Sequence, residues 1–310
     1  DSSTSRGLGD VYKRQEVIIM KMKKLTSSLL ALGIITTTVP INTSHAASSI
    51  VDSYRTQSAY KKEAGYQDAI KKSERISNDR IPVTKIDDPK NSTLSGIGTL
   101  RIKNDQNNRY GTAFVIDKHT IITNNHVVRD KHQPDIYKHI DPKDMQFRPS
   151  RDGNHIPYRF SIKDVKMLKN VDIAVLHTNA DLTKYVKPLS LASESNIKNL
   201  RQYTSIYGVG YPAVGKYFKD TNFKPYEMLQ YKGYYLQPTY SITPQFYTKM
   251  KIRKGSSGSP IMNSQQQVIG VNSSGFNNRG EFYYDGSFSE MAYVQSMTGK
   301  TREDVLKLKY

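Results

Sequence analysis

From residue 96 onward the chain is written in short runs of β-branched and aromatic residues separated by turn residues, with no pattern between them long enough for a substantial helix. Residues 96–103, 111–116, 120–123, 158–168 and 172–178 form a first group of predicted strands. Residues 203–209, 228–237, 245–250, 260–262, 268–272 and 281–284 form a second, and 180–202 reads as the bridge between them. Strands at this spacing without crossover helices cannot build a parallel α/β sheet, so the fold class is all-β, a sandwich or a barrel. The chain has 310 residues, room for one large core or two medium ones. It has no cysteine, so neither disulfides nor thiolate-bound metal holds it together.

Ahead of the strands the text changes character. Residues 1–19 precede the first methionine, Met20, show no periodicity and read as a non-native leader. In 20–46, Lys21, Lys23 and Lys24 precede an apolar stretch at 29–39 and a small-x-small site, Ser44-His45-Ala46, which is the layout of a secretory signal. The apolar stretch is shorter than the roughly 18 to 20 residues a bilayer crossing needs. Export is therefore expected, leaving a secreted chain that starts near Ala47. In 47–73, Ile50, Val51, Tyr54, Ala59, Tyr60, Ala69 and Ile70 recur at loosely helical spacing interrupted by Gly65, and 76–91 is a polar connector with Pro82 and Pro89. The expected layout is a helical extension and connector at 47–90, one β-unit at 91–185, a second at 186–294 and a closing helix at 295–310. That helix starts at Thr301-Arg302-Glu303-Asp304 and carries Val305, Leu306 and Leu308 on one face.

Lys and Arg number 46 against 28 Asp and Glu, a net charge of +18. Such a field favours adsorption to anionic surfaces and speeds encounter with them. No zinc finger, RNP-type aromatic motif or dense arginine run accompanies the charge, so no nucleic-acid partner is expected. His119, His132, His139, His155 and His177 lack metal-ligand spacing, and neither metal nor cofactor is expected. Tyr231, Tyr234, Tyr235 and Tyr240 could line a substrate groove or be ordinary aromatics of half-exposed strands.

Three segments carry chemistry. Thr123-Asn124-Asn125-His126 follows an apolar run, so a strand ends in a short turn that presents an imidazole able to take and return a proton near neutral pH. Asn170-Val171-Asp172-Ile173-Ala174 opens an apolar strand with a carboxylate, which a histidine N–H would satisfy while fixing the imidazole tautomer. Alone, Asp172 reads as a strand-edge turn cap. Lys254-Gly255-Ser256-Ser257-Gly258-Ser259-Pro260 gives a serine in a tight backbone where the N–H groups of Gly255 and Ser257 could receive an oxyanion. Alone, it reads as a flexible turn. Together, in the order His, Asp, Ser, they point to nucleophilic acyl transfer.

At these residues the chain resembles the chymotrypsin-like serine proteases, and within them the glutamyl endopeptidases and staphylococcal exfoliative toxins. Gly210-Tyr211-Pro212 and Val268-Ile269-Gly270-Val271-Asn272-Ser273-Ser274 extend the resemblance over residues 96–294. It implies two six-stranded antiparallel β-barrels with N- and C-terminal helices and the site in the cleft between barrels. It also implies His126 as general base, Asp172 as its orienter, Ser257 as nucleophile and Gly255 with Ser257 as the oxyanion hole. Ser273, Ser274 and Gly275 would be the edge that pairs with the substrate backbone.

Two positions that bind the substrate carboxylate in the glutamyl enzymes are occupied here by Ile252 and Asn272, so Lys251, Arg253 or Lys254 would have to supply positive charge for cleavage after glutamate. Ser256 stands where relatives have Asn or Asp, which argues against activation by a buried new N-terminus. The resulting expectation is a monomeric secreted endopeptidase acting on an extracellular host protein, by resemblance a desmosomal cadherin. The alternative is a catalytically silent or substrate-activated binding protein on the same scaffold.

Overall fold

The computed structural model describes residues 65–103, 108–213, 223–239, 241, 243–276 and 289–310. The leader, the signal, the helical pattern of 47–64, Tyr240 and the strand expected at 281–284 lie outside the described residues.

The first sheet contains β2 (Ile97–Ile102), β3 (Arg109–Val115), β4 (Thr120–Thr123), β5 (Met145–Pro149), β6 (Phe160–Ser161), β7 (Asp164–Met167) and β8 (Ala174–His177), all antiparallel, in the order β6-β5-β2-β3-β4-β8-β7. Its two edge strands, β6 and β7, are consecutive in the chain, with only Ile162 and Lys163 between them. A sheet whose opposite edges are joined by so short a link has to curl on itself. Ile162 turns into the core at the bend, and the Lys163 amide bonds the His177 carbonyl at 2.7 Å.

The second sheet is a closed barrel of β9 (Ser205–Gly210), β10 (Leu229–Pro238), β11 (Gln245–Ile252), β12 (Pro260–Met262), β13 (Val268–Phe276) and β14 (Ser289–Ser296), because β9 pairs with both β10 and β12. A three-residue strand, β1 (Val83–Lys85), adds to β10 from outside. The expected pair of antiparallel β-barrels is present: one closes by a hydrogen-bonded ladder, and the other curls and is bridged by the chain itself. The strand predicted at 158–168 is the bent β6–β7 segment.

Successive residues of the central strands serve different cores. Ala113 and Val115, Ile121, and Ala174 and Leu176 fill the first barrel, whereas Phe114, Ile122 and Val175 on the opposite faces join one continuous core with Val209, Met250, Ile261 and other residues of the second. A strand buried on both faces must be apolar throughout, so β4 and β8 read as unbroken runs rather than alternations. This packing brings the ends of β4 and β8, from the first barrel, up to the β11–β12 connection of the second.

Among the described residues, one α-helix flanks each end of the chain and two short ones lie between. α1 (Tyr66–Glu74) lays Tyr66, Ala69 and Ile70 against Tyr234, Leu236, Tyr247, Phe276 and Met291 of the second barrel. A one-turn helix, α2 (Asn125–Val128), carries His126, and α3 (Glu194–Lys198) lies in the bridge between barrels. α4 (Gly299–Lys307) closes the chain with Val305 in the shared core, close to the expected closing helix.

Candidate active site

His126 sits in α2 directly after β4, and Asp172 in the turn between β7 and β8; β8 pairs with β4 on one side and β7 on the other. Asp172 is fully buried, so its carboxylate depends on protein donors. It has three: the His126 amide to Oδ1 at 3.0 Å, and His126 Nδ1 at 2.7 Å and Ser273 Oγ at 2.5 Å, both to Oδ2. With Nδ1 donating to the carboxylate, Nε2 is left as the basic nitrogen.

Two asparagines before the histidine hold the aspartate's turn in place. Asn124 Nδ2 donates to the Asp172 carbonyl at 2.7 Å, and Asn125 Nδ2 donates to the carbonyls of Leu168 and Val171, both at 2.8 Å.

The serine loop leaves β11 at Ile252 and enters β12 at Pro260. Gly255 and Gly258 have φ of 95° and 85°, a region that a side chain makes costly. A Cβ at Gly258 would also meet the Thr112 carbonyl oxygen at 2.0 Å. The loop is pinned from three directions. Thr112 on β3 gives its amide to the Ser257 carbonyl (2.8 Å) and its hydroxyl to the Gly255 carbonyl (2.9 Å), while that hydroxyl accepts the Tyr211 amide (2.9 Å). Asn272 on β13 donates Nδ2 to the Ser256 carbonyl at 3.0 Å, and its backbone bonds Gly258 and Ser259. The Ser256 hydroxyl donates to the buried Tyr231 phenol at 3.1 Å. Burial pushes that phenol above its ordinary range, and the Ser256 bond partly opposes the shift.

The oxyanion donors follow from one carbonyl. Lys254 C=O accepts the Ala213 amide at 2.6 Å, and no peptide bond among the described residues is cis. In a trans peptide the C=O and N–H point in opposite directions, so the Gly255 N–H is directed away from Ala213. His126, Gly255 and Ser257 line one cleft of about 530 Å³.

Residues 90–296 match the trypsin family model, two thirds of the chain with the site just described inside it. The chain belongs to the trypsin family. Among solved structures it is similar to a Glu endopeptidase in complex with MPD at 17% identity, covering 73% of this chain and 95% of that one with a TM-score of 0.55. It is also similar to the protease Anisep from Arthrobacter nicotinovorans at 18% identity, covering 68% and 93%, with a TM-score of 0.49. At 17% identity the likeness to the Glu endopeptidase structure shows the fold alone.

Within this trypsin-family domain the predicted site residues divide. His126, Asp172, Gly255 and Ser257 come together, and Lys254 lines the same cleft. Ser274 and Gly275 are half-buried on the part of β13 that pairs with β14 alone among the described residues, which leaves an edge open there. Two of the proposed substrate contacts are corrected. Ile252 is 2% exposed and packed in the shared core, because it ends a strand whose inner face builds the barrel. Asn272 is 1% exposed and spends its amide on the Ser256 carbonyl, so it braces the serine loop. The Ser273 side chain is turned to Asp172 and supports the carboxylate, a role beside the backbone pairing expected of residues 273–275.

Sequence reasoning missed Thr112, which reaches both the serine loop and Tyr211 from β3, and missed the cations Arg109 and Lys131, which line the cleft beside Tyr110 and Tyr226. A threonine amid a strand, an arginine at a strand start and a lysine in a polar loop carry no local signature of such roles. The Lys131 ammonium is held below the ordinary lysine range, first by burial and then by Arg109, Lys254 and Arg129. Among the described residues no cluster of potential metal ligands is present.

Proposed function

We propose that the chain is a secreted serine endopeptidase. The observation that carries this reading is the chain of bonds from Ser273 through Asp172 to His126 Nδ1, with His126 and Ser257 lining one cleft. Ser257 Oγ attacks the peptide carbonyl as His126 Nε2 accepts its proton, and the tetrahedral oxyanion is received by the N–H groups of Gly255 and Ser257. His126 then gives the proton to the departing amine, and water activated by the same nitrogen hydrolyses the acyl-enzyme. Asp172 holds the ring and stabilises the imidazolium, remaining a carboxylate throughout.

The proposed substrate is an extracellular protein of a host, with a desmosomal cadherin as the specific candidate from the exfoliative-toxin resemblance and a monomer as the working form. The signal-like segment at 20–46 supports export, and the net charge of +18 supports adsorption to anionic surfaces near the target. Ile252 and Asn272 occupy the two positions that bind the carboxylate in the glutamyl enzymes, and both are buried, so cleavage after glutamate would depend on other groups.

Digestion of a denatured proteome by the full chain and by Ser257→Ala tests the reading. The expected result is a set of new termini absent from the variant, since loss of the nucleophile lowers turnover by roughly a millionfold. Identical termini from both proteins would refute it and leave the binding-protein alternative.

A further inference from the structure

On the endopeptidase reading above, we propose that the leaving-group half of the cleft selects substrates with an acidic side chain in the first residues after the scissile bond, read by Lys131 and Lys254. Both lysines line the cleft together with Arg109, while no Asp or Glu does so among the described lining residues. Arg109 is anchored by its Nη2 bonds to the carbonyls of Val127 and Arg129, at 3.4 and 3.1 Å. Lys131 and Lys254 form no ion pair among the described residues.

A fourth cation lies behind the wall. Tyr110 and Tyr226 line the cleft, and the Arg151 guanidinium sits 3.5 Å from the Tyr226 ring centre and 5.8 Å from that of Tyr110. Arg151 is 4% exposed, and among the described residues it forms no ion pair and its Nη1 has no hydrogen-bond partner. Positive charges converging on one concave surface repel each other until an anion enters, and low-dielectric walls strengthen their common field. The Lys131 pKa is lowered first by burial and then by repulsion from Arg109, Lys254 and Arg129. A substrate carboxylate placed between Lys131 and Lys254 relieves it.

Which half of the substrate enters follows from the chemistry. His126 must deliver its proton to the departing nitrogen, so the segment after the bond runs along the His126 side. Residues 273–275, whose open edge suits the acyl half, do not line this cleft.

The test is the composition of residues after Ser257-dependent cuts in a proteome-derived peptide library, for the full chain at low and high salt and for Lys131→Glu. The expected result is enrichment of Asp and Glu, about tenfold over the library, within three positions after the cut, since each of two partly exposed pairs contributes modestly. Added salt should erode that enrichment, and Lys131→Glu should shift the preference toward Lys and Arg. Ser257-dependent cuts followed by residues at library frequency, or with acids enriched only before the cut, would overturn the proposal and leave the endopeptidase reading standing. Absence of any Ser257-dependent cut would overturn both.

Discussion

Asp172 is the residue on which the site turns, because a fully buried carboxylate is tolerable only while its donors stay in place. Ser273 supplies one of them from the other barrel, at 2.5 Å. Ser273→Ala removes a hydrogen bond to a charged group, worth about 1.5–3 kcal/mol, so kcat/KM and the rate of Ser257 acylation by an active-site probe should both fall roughly ten- to a hundredfold. Unchanged acylation would mean that Ser273 contributes only to packing. Asp172→Asn should cost more, about ten-thousandfold in kcat, because the amide no longer fixes the reactive tautomer. The three reacting residues were legible in the sequence because each lies in a short motif with its own chemistry. Ser273 was legible only as part of an edge strand, and Thr112 not at all, since their partners Asp172 and Gly255 are over a hundred positions away in the chain. Ile252 and Asn272 were misread because a motif position says which residue is present but not whether its side chain faces the cleft or the core.

At the level of elements, legibility followed burial. β4 and β12 match their predicted bounds, as strands buried on every residue read as unbroken apolar runs. β5 escaped notice because Gln146 and Arg148 alternate with its buried residues and Pro149 ends it, so its composition looks like a loop. The bend between β6 and β7 was invisible because Ile162 continues the apolar pattern through the turn. Helix α1 owes its place to Tyr66, which is 1% exposed and packs edge-on against Tyr247 and tilted against Phe276 at ring distances of 6.4 and 5.6 Å. Tyr66→Ala should therefore cost about 3–5 kcal/mol in denaturant unfolding. Tyr66→Phe should be at least as stable as the parent, because the buried Tyr66 hydroxyl has no partner among the described residues. A large loss in the Phe variant would show that the hydroxyl is bonded in solution.

Across the whole molecule, burial of tyrosines sets a limit on stability at high pH. Burial raises Tyr66 and Tyr235 to about 12 and pushes Tyr211 and Tyr231 up as well. Unfolded tyrosines ionise near 10, so the unfolded state binds fewer protons above that pH and stability falls as pH rises. The contribution is fully present below pH about 10 and is lost through about 12, at about 1.4 kcal/mol per pH unit for each tyrosine kept neutral. Unfolding followed as a function of pH should show this decline, and Tyr66→Phe should make it shallower; a flat profile from pH 9 to 12 would contradict it. The site itself is a whole-molecule property, since His126 and Asp172 belong to the curled barrel and Ser257 to the closed one, with Thr112 and Ser273 reaching across in opposite directions. The most direct measurement is the intact mass of the folded full chain after reaction with a fluorophosphonate, followed by peptide mapping. A single adduct on Ser257, absent from His126→Ala, is the predicted result. An unmodified folded protein, or an adduct on another serine, would contradict the assignment of Ser257 as a nucleophile activated by His126.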